Sequence, residues 1–206
     1  MNVKIFVSIC GLSLVATVIF FFSGFYNIGA DNRHWPVTEK LIAQVRDASI
    51  SKAALDISVP DELDNAERIR RGAGNYAAMC ATCHLTPGQE SSEMFAGLYP
   101  QPPRFYLDEV IEEKRAFWVV KHGLKMTGMP AWGGSNTDDD IWSLVAFLRA
   151  MPEIEPDHYR TLVAKSDGHT HGKEKVAQMS HDNGDGHHDA EATKKMDDHN
   201  SDGHSH

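Results

Sequence analysis

The stretch Gly72-Ala73-Gly74-Asn75-Tyr76-Ala77-Ala78-Met79-Cys80-Ala81-Thr82-Cys83-His84 decides how this chain is read. Two thiols three residues apart on one helical turn lie on the same side of the backbone, and an imidazole follows at once. Cys-x-x-Cys-His is the attachment signature of a c-type haem: the thiols form thioethers with two vinyl groups, and His84 is then held beneath the ring. With 3 Cys and 12 His among 206 residues, a chance match is expected about 0.002 times. A redox dithiol needs no His at that position, and a zinc site lacks its second Cys pair. The third cysteine, Cys10, leaves an odd count, which excludes a disulfide framework. Cys10 is read as a small apolar residue within an apolar run.

A six-coordinate iron needs a second axial ligand. Thr127-Gly128-Met129-Pro130 is the informative stretch, because Gly lets the backbone approach a ring and Pro fixes φ after the methionine. Met129 is the expected ligand and Met126, three residues earlier, is the alternative; His122, followed by Gly123, reads as the end of a helix. A thioether opposite imidazole favours ferrous iron more than a second imidazole does. Upstream, Asp64 and Glu67 suggest a capping box, and Ile69, Gly72, Ala73, Tyr76 and Cys80 fall on one helical stripe. Downstream, Thr137 or Asp138 is expected to cap a helix whose apolar face is Ile141, Leu144, Val145, Phe147 and Leu148, with Pro152 ending it. Leu107 to His122 reads as a further helix, with Val110, Ile111, Phe117, Trp118 and Val119 available for burial.

These motifs in this order, Gly72-x-x-x-Tyr76-x-x-x-Cys80-x-x-Cys83-His84, Pro103, Gly128-Met129-Pro130 and Leu144-x-x-Phe147-Leu148, resemble a class I monohaem cytochrome c. The resemblance covers about residues 62–152. It implies an all-α fold, one covalent haem c, and a first and last helix crossing where Gly72 and Tyr76 meet Leu144 and Phe147. It also implies a proline carbonyl that accepts a hydrogen bond from the proximal His84. Pro103 takes that role, or Pro102 if the register slips by one. Where the family often has Asn and Leu after this proline, the chain has Arg104 and Phe105.

Around this domain, composition divides the chain into residues 1–30, 31–61, 62–155 and 156–206. Ile5 to Tyr26 is a run of 22 uncharged, mostly apolar residues, long enough as a helix to cross a bilayer core of about 30 Å. An uncleaved anchor through residues 5–26 is preferred over a cleaved signal peptide, whose apolar region is shorter. Lys4 is the only charge before the run, which keeps the N-terminus inside and places the haem domain in the periplasm. In the connecting piece, Pro36 and Thr38 read as a turn and N-cap, and Leu41, Ile42, Val45 and Ala48 as an amphipathic helix docking on the domain or lying on the membrane.

Residues 166–206 contain no aromatic residue, no Leu, Ile or Phe, and eight of the 12 His, a composition that predicts a disordered tail after a linker beginning at 156. The pairs His169/His171, His187/His188 and His204/His206 suit Cu(II), Ni(II) or Zn(II). A formal net charge of −9 gives no support to a nucleic-acid partner. The expected activity is single-electron transfer between a donor and an acceptor protein at a membrane, respiratory or dehydrogenase complexes, with no substrate chemistry. The alternatives are a metal-homeostasis protein using the tail, and a peroxidase-like haem enzyme if Met129 leaves the iron open.

Overall fold

The computed structural model describes residues 2–107 and 112–167. Among these residues all regular structure is helical: α1 Val3–Phe22, α2 Pro36–Ala54, α3 Ala66–Met79, α4 Ala81–His84, α5 Glu93–Gly97, α6 Glu113–His122, α7 Asp138–Ala150 and α8 Pro156–Lys165. The tail histidines His169, His171, His187, His188, His204 and His206 lie outside the described residues, as does the expectation of disorder there.

α3 and α7 form the centre of the fold, and their crossing explains Gly72. A Cβ built on Gly72 would lie 1.9 Å from the Ser143 carbonyl oxygen and 2.7 Å from Phe147 Cβ. No other residue allows the backbones so close. Beside the crossing, the Tyr76 and Phe147 rings sit 5.3 Å apart, and Leu144, Phe147 and Tyr76 are fully buried. Polar groups tie the same two helices: Arg71 Nε donates to Ser143 Oγ at 2.9 Å, Arg68 Nη1 meets Asp139 Oδ1 at 2.8 Å, and Arg71 also pairs with Asp139.

The caps follow local chemistry, with two corrections to the sequence reading. α7 begins at a capping box in which Thr137 accepts from Asp140 N–H and Asp140 accepts from Thr137 N–H. α3, however, is capped by Asn65, whose Oδ1 accepts from Glu67 N–H at 2.8 Å. The expected cap Asp64 pairs instead with Arg149 at 3.2 Å. In α2, Thr38 is not the cap. Pro36 occupies the first turn after Trp35, where its missing N–H costs nothing and its fixed φ suits the helix.

Two further expectations change. The helix read from Leu107 starts at Glu113; Leu107 lies in a turn, and Val110 and Ile111 are outside the described residues. Residues 156–165, read as linker, form α8, which packs on α3 and inserts Tyr159 beside Tyr76 and Phe147, with ring centroids at 6.4 and 5.9 Å. Its Pro156 at N1 and Asp157 in the first turn are ordinary start signals. Tyr159, with Leu162 and Val163 packed partly buried against the core, supplies the apolar surface that docks this helix.

α1 has no buried residue and an 18-residue window with mean hydropathy of 2.6. By length and composition it can cross a membrane.

Candidate functional site

The site is built at the end of α3. Cys80 N–H donates to the Tyr76 carbonyl at 2.9 Å as the last bond of that helix, and the chain then turns through α4, with His84 N–H donating to Cys80 O at 2.9 Å. Cys80 is buried and Cys83 half-buried, both as free thiols. Burial, reinforced by the neighbouring Cys83, pushes the Cys80 thiol up to about 12. A thiol held protonated at neutral pH is a poor redox nucleophile, which argues against a dithiol oxidoreductase. Among the described residues no group of three or more His, Cys, Asp or Glu is arranged to hold a metal ion.

His84 is fixed from two sides. Its Nδ1 lies 3.0 Å from the Pro103 carbonyl oxygen. A carbonyl can only accept, so Nδ1 carries the proton and Nε2 keeps its lone pair free for a metal. Pro103, not Pro102, occupies this position. Burial lowers the His84 pKa from its ordinary value against the raising effect of the Pro103 bond, so the ring is neutral at pH 7, the form that ligates metals. Phe105 stacks on the imidazole at 4.7 Å and 22°. In the sequence Phe105 stands out only as a departure from the family pattern, and nothing local to it announces the stack on His84.

After His84 the backbone reverses sharply. Leu85 has φ 64°, in the left-handed region, and its side chain is fully buried. Its carbonyl accepts the Tyr76 hydroxyl at 2.5 Å.

The methionine loop is equally constrained. Gly123 at φ 66° ends α6, and a Cβ there would meet the Met129 carbonyl oxygen at 2.7 Å. Leu124 N–H donates to Met129 O at 3.2 Å, Thr127 Oγ1 donates to Leu124 O at 2.8 Å, and Met129 N–H donates to Thr127 Oγ1 at 3.1 Å. Within this closed loop Met129 packs partly buried against the core, whereas Met126, at φ 59°, is 100% exposed. His122 is exposed at the end of α6, its ring 5.0 Å from Trp118. Of the basic residues near the site, Arg104 lies over the Phe95 ring at 6.0 Å and Lys121 pairs with Asp138 at 2.7 Å.

A protein-family model described as cytochrome C oxidase, cbb3-type, subunit III matches residues 67–148. This segment is a c-type cytochrome domain. Among curated proteins no relative matches the chain. The donor set fits the cytochrome cofactor: two thiols on one turn, a neutral imidazole with its free nitrogen defined by Pro103, and a thioether on a closed loop. Phe105, Tyr106, Met129 and Trp132, packed on the core yet only partly buried, add the apolar surface a flat macrocycle needs. A cytochrome domain transfers electrons through redox partners, and covalently attached haem c is the cofactor its family implies.

Proposed function

We propose that this chain is a membrane-anchored, periplasm-facing monohaem cytochrome c that carries single electrons between membrane-bound donor and acceptor complexes, and is not itself an enzyme. Haem c supplies a one-electron ferric/ferrous couple when attached. Cys80 and Cys83 hold it by thioethers, each S–H adding across a vinyl group. His84 Nε2 and Met129 Sδ would hold the iron, and a chain that supplies both donors would leave it no open position for peroxide. Pro103 fixes the imidazole proton on Nδ1, and Phe105 and the core keep water away. A single Cys-x-x-Cys-His in the sequence supports one haem.

The observation that carries this reading is the His84 to Pro103 hydrogen bond, because it joins the attachment motif to a residue 19 positions away and leaves one defined ligand atom. α1 supports the anchor, and Lys4 ahead of it supports an outward-facing haem domain. Tethering raises the local concentration of the haem beside membrane complexes without a tight interface.

Potentiometric titration of the purified holoprotein tests the reading: one reversible one-electron wave with low-spin spectra in both states is expected. A high-spin ferric spectrum that changes on adding peroxide would favour the enzyme alternative. The paired tail histidines support a second reading, that residues 166–206 bind Cu(II), Ni(II) or Zn(II). Calorimetric titration of the full chain against a chain ending at residue 165 tests it. Equal heats would remove it.

A further inference from the structure

α2 carries two apolar faces. One bears Ile50 and Ala54, both buried, and packs on α6; Arg115 from α6 bonds Ser51 and reaches the Asp47 carbonyl at 3.3 Å on this side. The other carries Val37, Leu41, Ile42 and Val45, exposed at 71, 62, 51 and 63%. At 100° per residue these four, with Thr38, Ala48 and Ser49, fill one arc that contains no Asp or Glu. Lys40 and Arg46 lie beyond the two sides of the arc, and Lys52 falls within it, one turn past Ala48 at its C-terminal end. Both acidic side chains of the helix with described partners face elsewhere: Glu39 accepts from the Tyr99 hydroxyl at 2.6 Å, and Asp47 pairs with Arg46 and Arg115.

The start of this helix is joined to the end of α1. Phe20 in the last turn of α1 lies 6.2 Å from the Trp35 ring, Trp35 lies 5.1 Å from Tyr26, and the Tyr26 hydroxyl is 2.6 Å from His34 Nδ1. Tyr and Trp at the end of an apolar span are the residues that settle at a membrane–water boundary. α2 therefore begins at the level where α1 leaves the bilayer.

We propose that the Val37–Leu41–Ile42–Val45 face of α2 lies in the interfacial layer of the bilayer that α1 crosses, with Lys40, Arg46 and Lys52 among the lipid headgroups. This rests on the reading of α1 as a membrane anchor. The chemistry is that of a surface helix: an apolar arc bordered by cations, with acidic groups turned away from lipid phosphate. Because the opposite face of α2 is fixed to α6, the lipid contact holds the haem domain at one height and orientation. Tyr99, which donates to Glu39 and accepts from His34 N–H at 3.1 Å, adds a second tie from the loop that continues to Pro103.

The test is spin-label accessibility on the full-length holoprotein in phosphatidylcholine vesicles containing a minority of phosphatidylglycerol. Cys10→Ser leaves the introduced thiol as the sole labelling site, and the haem is kept ferrous. Nitroxides are placed by Leu41→Cys and Val45→Cys, with Asp61→Cys as the water reference and Leu14→Cys as the bilayer reference. The ratio of oxygen to nickel-chelate relaxation is expected to be several-fold higher at positions 41 and 45 than at 61. A ratio equal to that at 61, with position 14 still lipid-like, overturns this proposal alone. A water-like position 14 overturns the anchor reading as well. Labels at 41 and 45 shielded from both relaxers would place a second copy or another protein on this face, which also overturns the proposal.

Discussion

The Tyr76 hydroxyl donates to the Leu85 carbonyl across 2.5 Å, bridging the last turn of α3 to the residue directly after His84. Leu85 is the one non-glycine residue near the attachment motif at positive φ, and it is wholly buried. A side chain in that backbone region persists only where its surroundings over-determine it. The bond and the ring packing of Tyr76 against Phe147 supply that support.

Tyr76→Phe keeps the ring and removes the donor. The buried Leu85 carbonyl then loses its partner, at a cost of about 1–3 kcal/mol. Denaturant unfolding of the ferric holoprotein checks this, with haem attachment expected to remain complete.

Gly72→Ala should be severe although alanine favours helix by about 1 kcal/mol. The new methyl would lie 1.9 Å from the Ser143 carbonyl, so α3 and α7 must separate, and overpacking of this kind costs about 1–3 kcal/mol or more. Gly97→Ala, whose Cβ would meet nothing within 4 Å, should change stability by less than about 0.5 kcal/mol. Thermal unfolding of both variants reads the contrast.

Asp139 links stability to pH. Partial burial works against its charge, but the Arg71 hydrogen bond and charge, with those of Arg68, outweigh it and hold the carboxyl below its usual range. A carboxyl depressed in the folded state stabilises the fold above its unfolded pKa of about 3.9, and that contribution fades as pH falls through the lower folded value. Asp139→Asn should therefore unfold more easily than the parent at pH 7, and the difference should shrink in acid. A constant difference across the acid range, measured by urea unfolding, would contradict the assignment.

The two loop methionines should separate cleanly. Met129→Ala is expected to retain attached haem and lose the low-spin His/Met spectrum, because Met129 is the one packed toward the core. Met126→Ala, at a fully exposed position, should leave the spectrum unchanged. The reverse result would move the ligand to Met126.

What was legible in the sequence is what short motifs encode. Cys80 to His84, Gly72, Tyr76, Phe147 and the Gly-Met-Pro loop each declare a local geometry, whereas the proline facing the imidazole came only from the family resemblance, which left Pro102 open beside Pro103 until the fold brought the Pro103 carbonyl to His84. The Asn65 cap was not legible beside Asp64, since both types cap helices and only the backbone angles and the distant Arg149 distinguish them. α8 was hidden because Tyr159, Leu162 and Val163 are few apolar residues in a short segment, and their burial depends on packing against α3 and the Phe147 ring. A leucine at positive φ has no sequence signal at all; tertiary bonding imposes it. The stacking of Phe105 on His84 is likewise a long-range product of the fold.

The most direct measurement is the intact mass of the protein matured in a host that attaches c-type haem, followed by alkylation of its thiols. One haem added to the polypeptide, with Cys80 and Cys83 refractory to alkylation, is the predicted result. A polypeptide of unmodified mass with both thiols reactive would contradict the account at its root.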